Sequence, residues 1–169
     1  MEHQPTTSAY AGTISAGPFE LAYVIEGTEQ PAIVIGSSRY YQRAFSQNLR
    51  KHLRLVFMDH RGFAPSPGPV DMSEFQLDKI VDDVETLRQQ LGLGPVVVIG
   101  HSGHGYMALE YGKKYPEHTS HVVMILGNRQ SQLRSIWLLS RMPLNQVNGG
   151  NCPSASSTYS RRSTVPPRR

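Results

Sequence analysis

Short apolar runs alternate along this chain with segments whose apolar residues recur every three or four positions. The runs are bounded by glycine, proline or charged residues, as buried strands are, and they cover residues 32–35, 53–58, 96–99 and 122–126. Two helical faces lie between them, one formed by Tyr41, Phe45 and Leu49 and the other by Ile80, Val84, Leu87 and Leu91. This alternation predicts an α/β fold with a doubly wound, mostly parallel sheet.

Local signals place the ends of these elements. The first helix is predicted over residues 41–52, and a capping box at residues 73–76 indicates the start of the second, which Gly92 ends. A third helix follows residue 105 and stops before Pro116. Before the first buried run, residues 13–15 and 21–26 flank a Gly-Pro turn, which predicts an N-terminal antiparallel hairpin.

The pattern stops after Asn128, which divides the chain into residues 1–128 and 129–169. The second part has seven arginines, many serines and prolines, and no Asp, Glu or Lys, and only residues 133–139 form an apolar run. A natural disordered basic tail and out-of-frame translation both fit this composition. The skew favours the second, so we expect a disordered or out-of-frame tail.

Charge follows the same division. The net charge of +4 combines a body at −3 with a tail at +7. The apolar runs are far shorter than the roughly 18 residues of a membrane helix, and residues 1–5 lack a secretory signal, so we expect a cytoplasmic protein. A single cysteine, Cys152, supplies neither an internal disulfide nor a zinc site, and no metal or cofactor is implied.

The strongest chemical signal is the sequence Gly-His-Ser-Gly-His-Gly at residues 100–105, between a buried strand and a helix. This layout is typical of a nucleophile elbow centred on Ser102. Gly100 has the expected place two residues before the serine, whereas His104 stands two residues after it and the glycine is displaced to Gly105. The spacing does not match a Walker or dinucleotide loop, although glycine-rich turns of this kind also serve close packing or phosphate binding.

Together with Asp59-His60-Arg61-Gly62 at the end of an earlier strand, this elbow resembles the α/β-hydrolase superfamily, especially its proline-iminopeptidase-like members, over about residues 12–128. The chain departs from the family pattern at Ala64, where a glycine is usual, and in the loop at residues 35–38, where only Gly36 matches.

The resemblance implies that Ser102 is the nucleophile and that the N–H groups of Gly103 and Ser37 form the oxyanion hole. It further implies hydrolysis of a small ester, amide or N-terminal peptide through an acyl-enzyme. We expect Asp59, Arg61 and Gly62 to hold a loop rather than to catalyse, because Asp beside Gly usually stabilises a turn.

The catalytic acid and base are not found. In the superfamily both follow the serine, but no histidine lies beyond His121 and no acid lies beyond Glu117. His101 and His104 are too near Ser102 along the chain to bend back to its hydroxyl. The sequence is therefore interpreted as a truncated, N-terminal half of a hydrolase domain.

Three functions remain open. The first is a serine hydrolase with a small-molecule or short-peptide substrate. The second is a non-catalytic truncated or pseudoenzyme product that self-associates through an exposed sheet edge. The third is nucleic-acid or acidic-lipid binding by the tail, which is disfavoured because its arginines are mostly isolated.

Overall fold

The computed structural model describes residues 9–65, 68–127 and 134–140, with residues 126–127 and 134–140 described by their backbone alone. In this part of the chain seven strands form one sheet in the order β1-β2-β4-β3-β5-β6-β7. The strands are β1 Tyr10–Ala16, β2 Phe19–Glu26, β3 Gln30–Gly36, β4 Leu53–Asp59, β5 Val96–His101, β6 Thr119–Gly127 and β7 Arg134–Ser140. The α-helices are α1 Ser38–Ala44, α2 Leu77–Gln90 and α3 His104–Lys114.

The four central strands, β4, β3, β5 and β6, pair in parallel. Antiparallel pairs lie on both sides of them, between β1, β2 and β4 at one margin and between β6 and β7 at the other. The predicted α/β class and the N-terminal hairpin are thus confirmed, within a mixed sheet whose parallel portion is its centre.

Both faces of this centre are buried because its strands are continuously apolar. Residues 32–35 of β3 are at most 1% exposed. Their side chains alternate between two cores: Ile33 and Ile35 join the larger one with residues of α2 and α3, whereas Ala32 and Val34 pack with Tyr41 of α1. The continuous apolar run therefore reflects a strand covered on both sides.

The helix predicted over residues 41–52 is wrong. Helix α1 ends at Ala44, extended backbone follows at Phe45, and a separate 3₁₀ turn covers Gln47–Lys51. The reason is the buried Arg50, whose guanidinium donates to the carbonyls of Gln42, Phe45 and Ser46 and pairs with Glu26. These bonds satisfy the carbonyls at the end of α1, so the helix stops there.

The predicted capping box is also wrong. Asp71, not Ser73, caps the local turn by accepting the Ser73 N–H, and the turn is a 3₁₀ helix at Met72–Phe75. Helix α2 begins at Leu77 without a side-chain cap. Within this turn the Gln76 N–H donates to the Ser73 carbonyl, and the Glu74 carboxylate binds Arg61 and Lys79.

The backbone of β7 lies in the tail, over the one apolar run noted there at residues 133–139. It pairs antiparallel with β6, for example at Val123 and Leu138. The edge that we expected to be open beside residues 122–126 is therefore covered, and β7 forms the margin. Cys152 and the arginines beyond residue 140 lie outside the described residues. Among the helices of the described part, none is long and apolar enough to cross a membrane.

Candidate active site at the strand-to-helix turn

Ser102 lies at the sharp turn between β5 and α3, with its side chain exposed. Its φ of +56° makes it the one non-glycine residue with a positive φ in the described part of the chain. This left-handed conformation costs an L-residue about 1–2 kcal/mol. The turn therefore leaves Ser102 exposed in a backbone conformation that is typical of a nucleophile elbow.

Backbone contacts hold this conformation. The Ser102 N–H donates to the Ile125 carbonyl of β6 over 2.9 Å, and the Gly105 N–H donates to the Ser102 carbonyl over 3.0 Å. A Cβ on Gly100 would lie 2.1 Å from the His104 carbonyl oxygen, which no side chain tolerates. The close crossing of strand and helix thus depends on glycine two residues before the serine.

The end of β3 lies beside the elbow, since Ile35 pairs with Gly100. Strand β3 ends at Gly36 (φ +146°), and the Ser37 hydroxyl then caps α1 by accepting the Tyr40 N–H. Asp59 fixes this loop by accepting the Ser38 N–H over 2.5 Å. Within the described residues, neither the Ser37 N–H nor the Gly103 N–H donates to another protein group. Both amides are therefore without a protein acceptor in the described part of the chain.

A chain of side-chain hydrogen bonds connects three loops around the elbow. His60, after β4, lies 3.1 Å from His104 between their Nε2 atoms. The His104 Nδ1 lies 3.1 Å from the hydroxyl of Tyr41, and that hydroxyl lies 3.3 Å from the His101 Nδ1. None of these imidazoles contacts the Ser102 hydroxyl among the described hydrogen bonds.

Burial favours the neutral form of two of these imidazoles, those of His60 and His104. Desolvation, followed by the proximity of His104, lowers the pKa of His60 to about 4. Desolvation likewise lowers the pKa of His104 and raises the pKa of the Tyr41 hydroxyl. At neutral pH His60, His104 and Tyr41 are therefore uncharged donors and acceptors.

The buried Arg61 is occupied by carboxylates. Its Nε and Nη2 donate to the two Asp83 oxygens over 2.6 and 2.8 Å, and it also pairs with Glu74. The guanidinium lies 5.5 Å from the centre of the Phe19 ring. Arg61 thus fastens the loop after β4 to α2, which leaves it no free face for a substrate carboxylate. The Gly62 N–H donates to the His60 Nδ1 within the same loop.

The structure brings Ser102, Gly103 and Ser37 to one edge of the sheet, and among the residues it describes it brings no acid and base to them. His118 lies 3.0 Å from Glu85, and His121 lies near the start of β6, at the opposite end from Ile125. Sequence reasoning missed the Tyr41–His104–His60 chain. The one signal for it was a histidine where the elbow pattern has glycine.

Comparison with known proteins follows this geometry. A model of the alpha/beta hydrolase fold matches residues 34–153, past the compositional boundary at residue 128. The chain is 42% identical over 114 residues to the AB hydrolase superfamily protein YclE of Bacillus subtilis, covering 68% of this chain and 41% of that relative. It is 31% identical over 116 residues to the proline iminopeptidase PfmaB of Pestalotiopsis fici, covering 62% and 40%.

Solved structures agree. A proline iminopeptidase-related protein from Thermus thermophilus superposes with a TM-score of 0.60 at 25% identity, covering 69% of this chain and 44% of that one. An epoxide hydrolase from an endophytic Streptomyces gives a TM-score of 0.61 at 20% identity over 69% and 36%, which is a likeness of fold. The chain spans about two fifths of the length of the curated relatives named above.

Proposed function

The chain belongs to the α/β-hydrolase fold family, and on that premise we propose that it carries the nucleophile and oxyanion hole of a serine hydrolase. The observation that carries the proposal is the positive φ of Ser102 at the tip of a strand-to-helix turn backed by Gly100. A strained serine in an exposed turn has no packing purpose, whereas it presents a hydroxyl to a substrate.

In the proposed reaction, the Ser102 Oγ attacks a substrate carbonyl and forms an ester, and the alcohol or amine leaves with a proton. Water then hydrolyses the ester and frees the serine. The N–H groups of Gly103 and Ser37 would bind the negative oxygen of each tetrahedral intermediate. One such donor is worth about 2.7–4 kcal/mol in a well-studied protease.

We assign the base and the acid to no residue of this chain. The serine needs an imidazole to take its proton, and a carboxylate to orient that imidazole. The imidazoles nearest Ser102, those of His101 and His104, are bonded to Tyr41.

The proposed substrate is a small ester, an amide or an N-terminal peptide. The serine nucleophile favours acyl transfer, and the relative from Pestalotiopsis fici is called a proline iminopeptidase. The choice among acyl groups depends on the walls of the substrate pocket, to which we assign no residue.

Labelling with a fluorophosphonate tests the nucleophile directly. We expect one adduct, located on Ser102 by peptide mass spectrometry, and no adduct on Ser102→Ala. Ser73→Ala is the matched control, because Ser73 is an exposed serine outside the elbow. A folded wild-type protein that gains no adduct on Ser102 would contradict the proposal.

The alternative is a non-catalytic product that associates through a sheet edge. It is favoured by the described hydrogen bonds of His60, His101 and His104, none of which reaches the Ser102 hydroxyl. An unlabelled protein that sediments as a concentration-dependent oligomer would support this alternative. An unlabelled but strictly monomeric protein would argue against both functions.

A further inference from the structure

We propose that His104 is a positioning residue that holds the oxyanion loop at Gly36–Ser37 against the elbow, through Tyr41 on one side and His60 on the other. This inference rests on the proposed function, because it assigns a purpose to the imidazole chain in terms of the Ser37 and Gly103 amides. It also explains why a histidine stands where the elbow pattern has glycine.

The rings of Tyr41 and His104 both contact the backbone at Gly36. A Cβ on Gly36 would lie 2.3 Å from the Tyr41 Cε2 and 3.2 Å from the His104 Cε1, so both rings cover the backbone of the residue before Ser37. Tyr41 is only 5% exposed, and its ring meets the His104 ring edge-on at 5.9 Å. The position of the Ser37 amide is therefore set by these two rings.

The directions of the hydrogen bonds determine where the protons of His60 and His104 lie. The Gly62 N–H donates to the His60 Nδ1, so the proton of neutral His60 is on Nε2 and is donated to the His104 Nε2. The His104 proton must then be on Nδ1, where it is donated to Tyr41 or to the His101 carbonyl. The Tyr41 hydroxyl in turn donates to the His101 Nδ1.

His60 and His104 therefore each have one compatible tautomer. Within this group His104 is the residue that contacts both His60 and Tyr41. It accepts a hydrogen bond from His60, in the loop after β4, and donates toward Tyr41 of α1. A glycine at this position would leave the His60 Nε2–H without its acceptor and would remove half of the cover over Gly36. The hydrogen-bonded series His60–His104–Tyr41 thus joins the loops after β3, β4 and β5 beside Ser102.

Protonation of either His60 or His104 would break the hydrogen bonds of this series. A proton added to His104 would set two N–H donors face to face across the 3.1 Å between the Nε2 atoms, and a proton added to His60 would displace the Gly62 N–H. The titratable groups that face this pair are Tyr41 from α1 and His101 from β5. Neither brings a negative charge at neutral pH to offset a protonated imidazole.

The test compares amide hydrogen exchange at residues 36–41 in the wild type, His104→Gly and His104→Asn. We expect exchange about tenfold faster in His104→Gly, because a local opening there loses its restraints. The Asn side chain restores a donor toward Tyr41, so His104→Asn should return part of the protection. His52→Gln, at an exposed histidine directly after the 3₁₀ turn, should leave exchange unchanged.

Imidazole ¹⁵N spectra of the wild type provide a second readout. The proton is expected on Nε2 of His60 and on Nδ1 of His104. Equal exchange in His104→Gly and wild type, or the opposite tautomers, would overturn the inference.

The rate of fluorophosphonate labelling at Ser102 separates the inference from the proposed function. Slower labelling of His104→Gly, in parallel with faster exchange, supports the positioning role. Faster exchange with an unchanged labelling rate overturns that role. A wild type that is not labelled at all defeats the proposed function, while the exchange data still decide whether His104 holds the loop.

Discussion

At the scale of single residues, the elbow combines a strained serine with a glycine, Gly100, that no other residue can replace. Ser102 adopts a left-handed backbone although it has a Cβ, and its neighbours hold it there through the Ile125 carbonyl of β6. The conformation is thus independent of any substrate. Stability and chemistry are in opposition at this residue, because relief of the strain removes the nucleophile.

Substitutions of Ser102 should expose this opposition. Ser102→Gly relieves the strain, whereas Ser102→Ala keeps a Cβ in the left-handed region and gains nothing. We expect Ser102→Gly to exceed Ser102→Ala in free energy of unfolding by about 1 kcal/mol, measured by urea denaturation. Equal stabilities of the two variants would show that the turn is not strained.

Gly100→Ala should be among the most damaging changes in the chain. Its Cβ would lie 2.1 Å from the His104 carbonyl, so strand and helix must separate. We expect a loss of more than about 3 kcal/mol in the free energy of unfolding. Gly94→Ala is the control, because a Cβ there meets nothing within 4 Å; a similar loss in both variants would contradict the steric argument.

At the scale of elements, loops and helices are fastened by buried polar groups as well as by apolar packing. Arg61 joins the loop after β4 to α2 through Asp83, and Glu85 of α2 accepts the hydroxyl of Tyr111 in α3. Burial alone would raise the pKa of Glu85, but hydrogen bonds from Arg88, Tyr111 and Gln89 outweigh it and hold the pKa at about 2. Such groups stabilise a fold while both partners are present and destabilise it when one is lost.

Removal of one partner from the Arg61 pair tests this statement. Asp83→Asn keeps the shape of the side chain but leaves a buried guanidinium with Glu74 as its one remaining carboxylate. We expect a loss of about 3 kcal/mol in the free energy of unfolding. Glu110→Gln, which breaks the exposed pair with Lys113, should cost under about 0.5 kcal/mol. An equal loss of unfolding free energy in the two variants would show that the buried Arg61–Asp83 pair contributes no more stability than an exposed pair.

The imidazole chain predicts a specific dependence of stability on pH. His60 has a folded pKa of about 4 and an ordinary unfolded value of about 6.5, so the unfolded state binds more protons between these limits. Its contribution is therefore complete above about pH 6.5 and declines as the pH falls toward 4. The contribution of Glu85 declines lower, between about pH 4.5 and 2.

Urea denaturation across pH separates the two groups. His60→Gln keeps a donor toward His104 but cannot be protonated, so we expect the decline between pH 6.5 and 4 to become shallower while the lower one is unchanged. An identical pH profile in the variant and the wild type would remove His60 from the account.

At the scale of the whole molecule, the parallel centre is closed on both sides by antiparallel strands. Strands β1 and β7 form the margins, and β7 comes from the arginine-rich tail. The backbone pairing of β7 with β6 covers N–H and C=O groups that would otherwise accept a strand from another chain.

Deletion of residues 129–169 should therefore increase self-association. We expect the shortened chain to sediment as oligomers at concentrations where the full chain is less associated. The control is a chain shortened only after residue 140, which keeps β7. Equal sedimentation of the two shortened chains would show that β7 does not protect the edge.

Much of this molecule could be read from its sequence, and what could not has a common cause. The strands and the elbow are signalled by local patterns, such as the run before Gly100. The end of α1 has no such local signal, because Arg50 and Glu26, which lie outside the helix, determine where it stops. The chain through Tyr41, His60 and His104 joins residues up to 63 positions apart, and no spacing within one segment reveals such a contact.

The sheet order also has a consequence for the time course of folding. Ile33 of β3 pairs with Val56 of β4 and with Val98 of β5, so its second partner arrives from a much more distant part of the chain. Long-range pairings form slowly, and until β5 docks, the most apolar strand presents an open edge. During refolding, pairing of β5 with β3 therefore competes with association between chains at the open edge of β3. The yield of native protein should fall as the protein concentration rises.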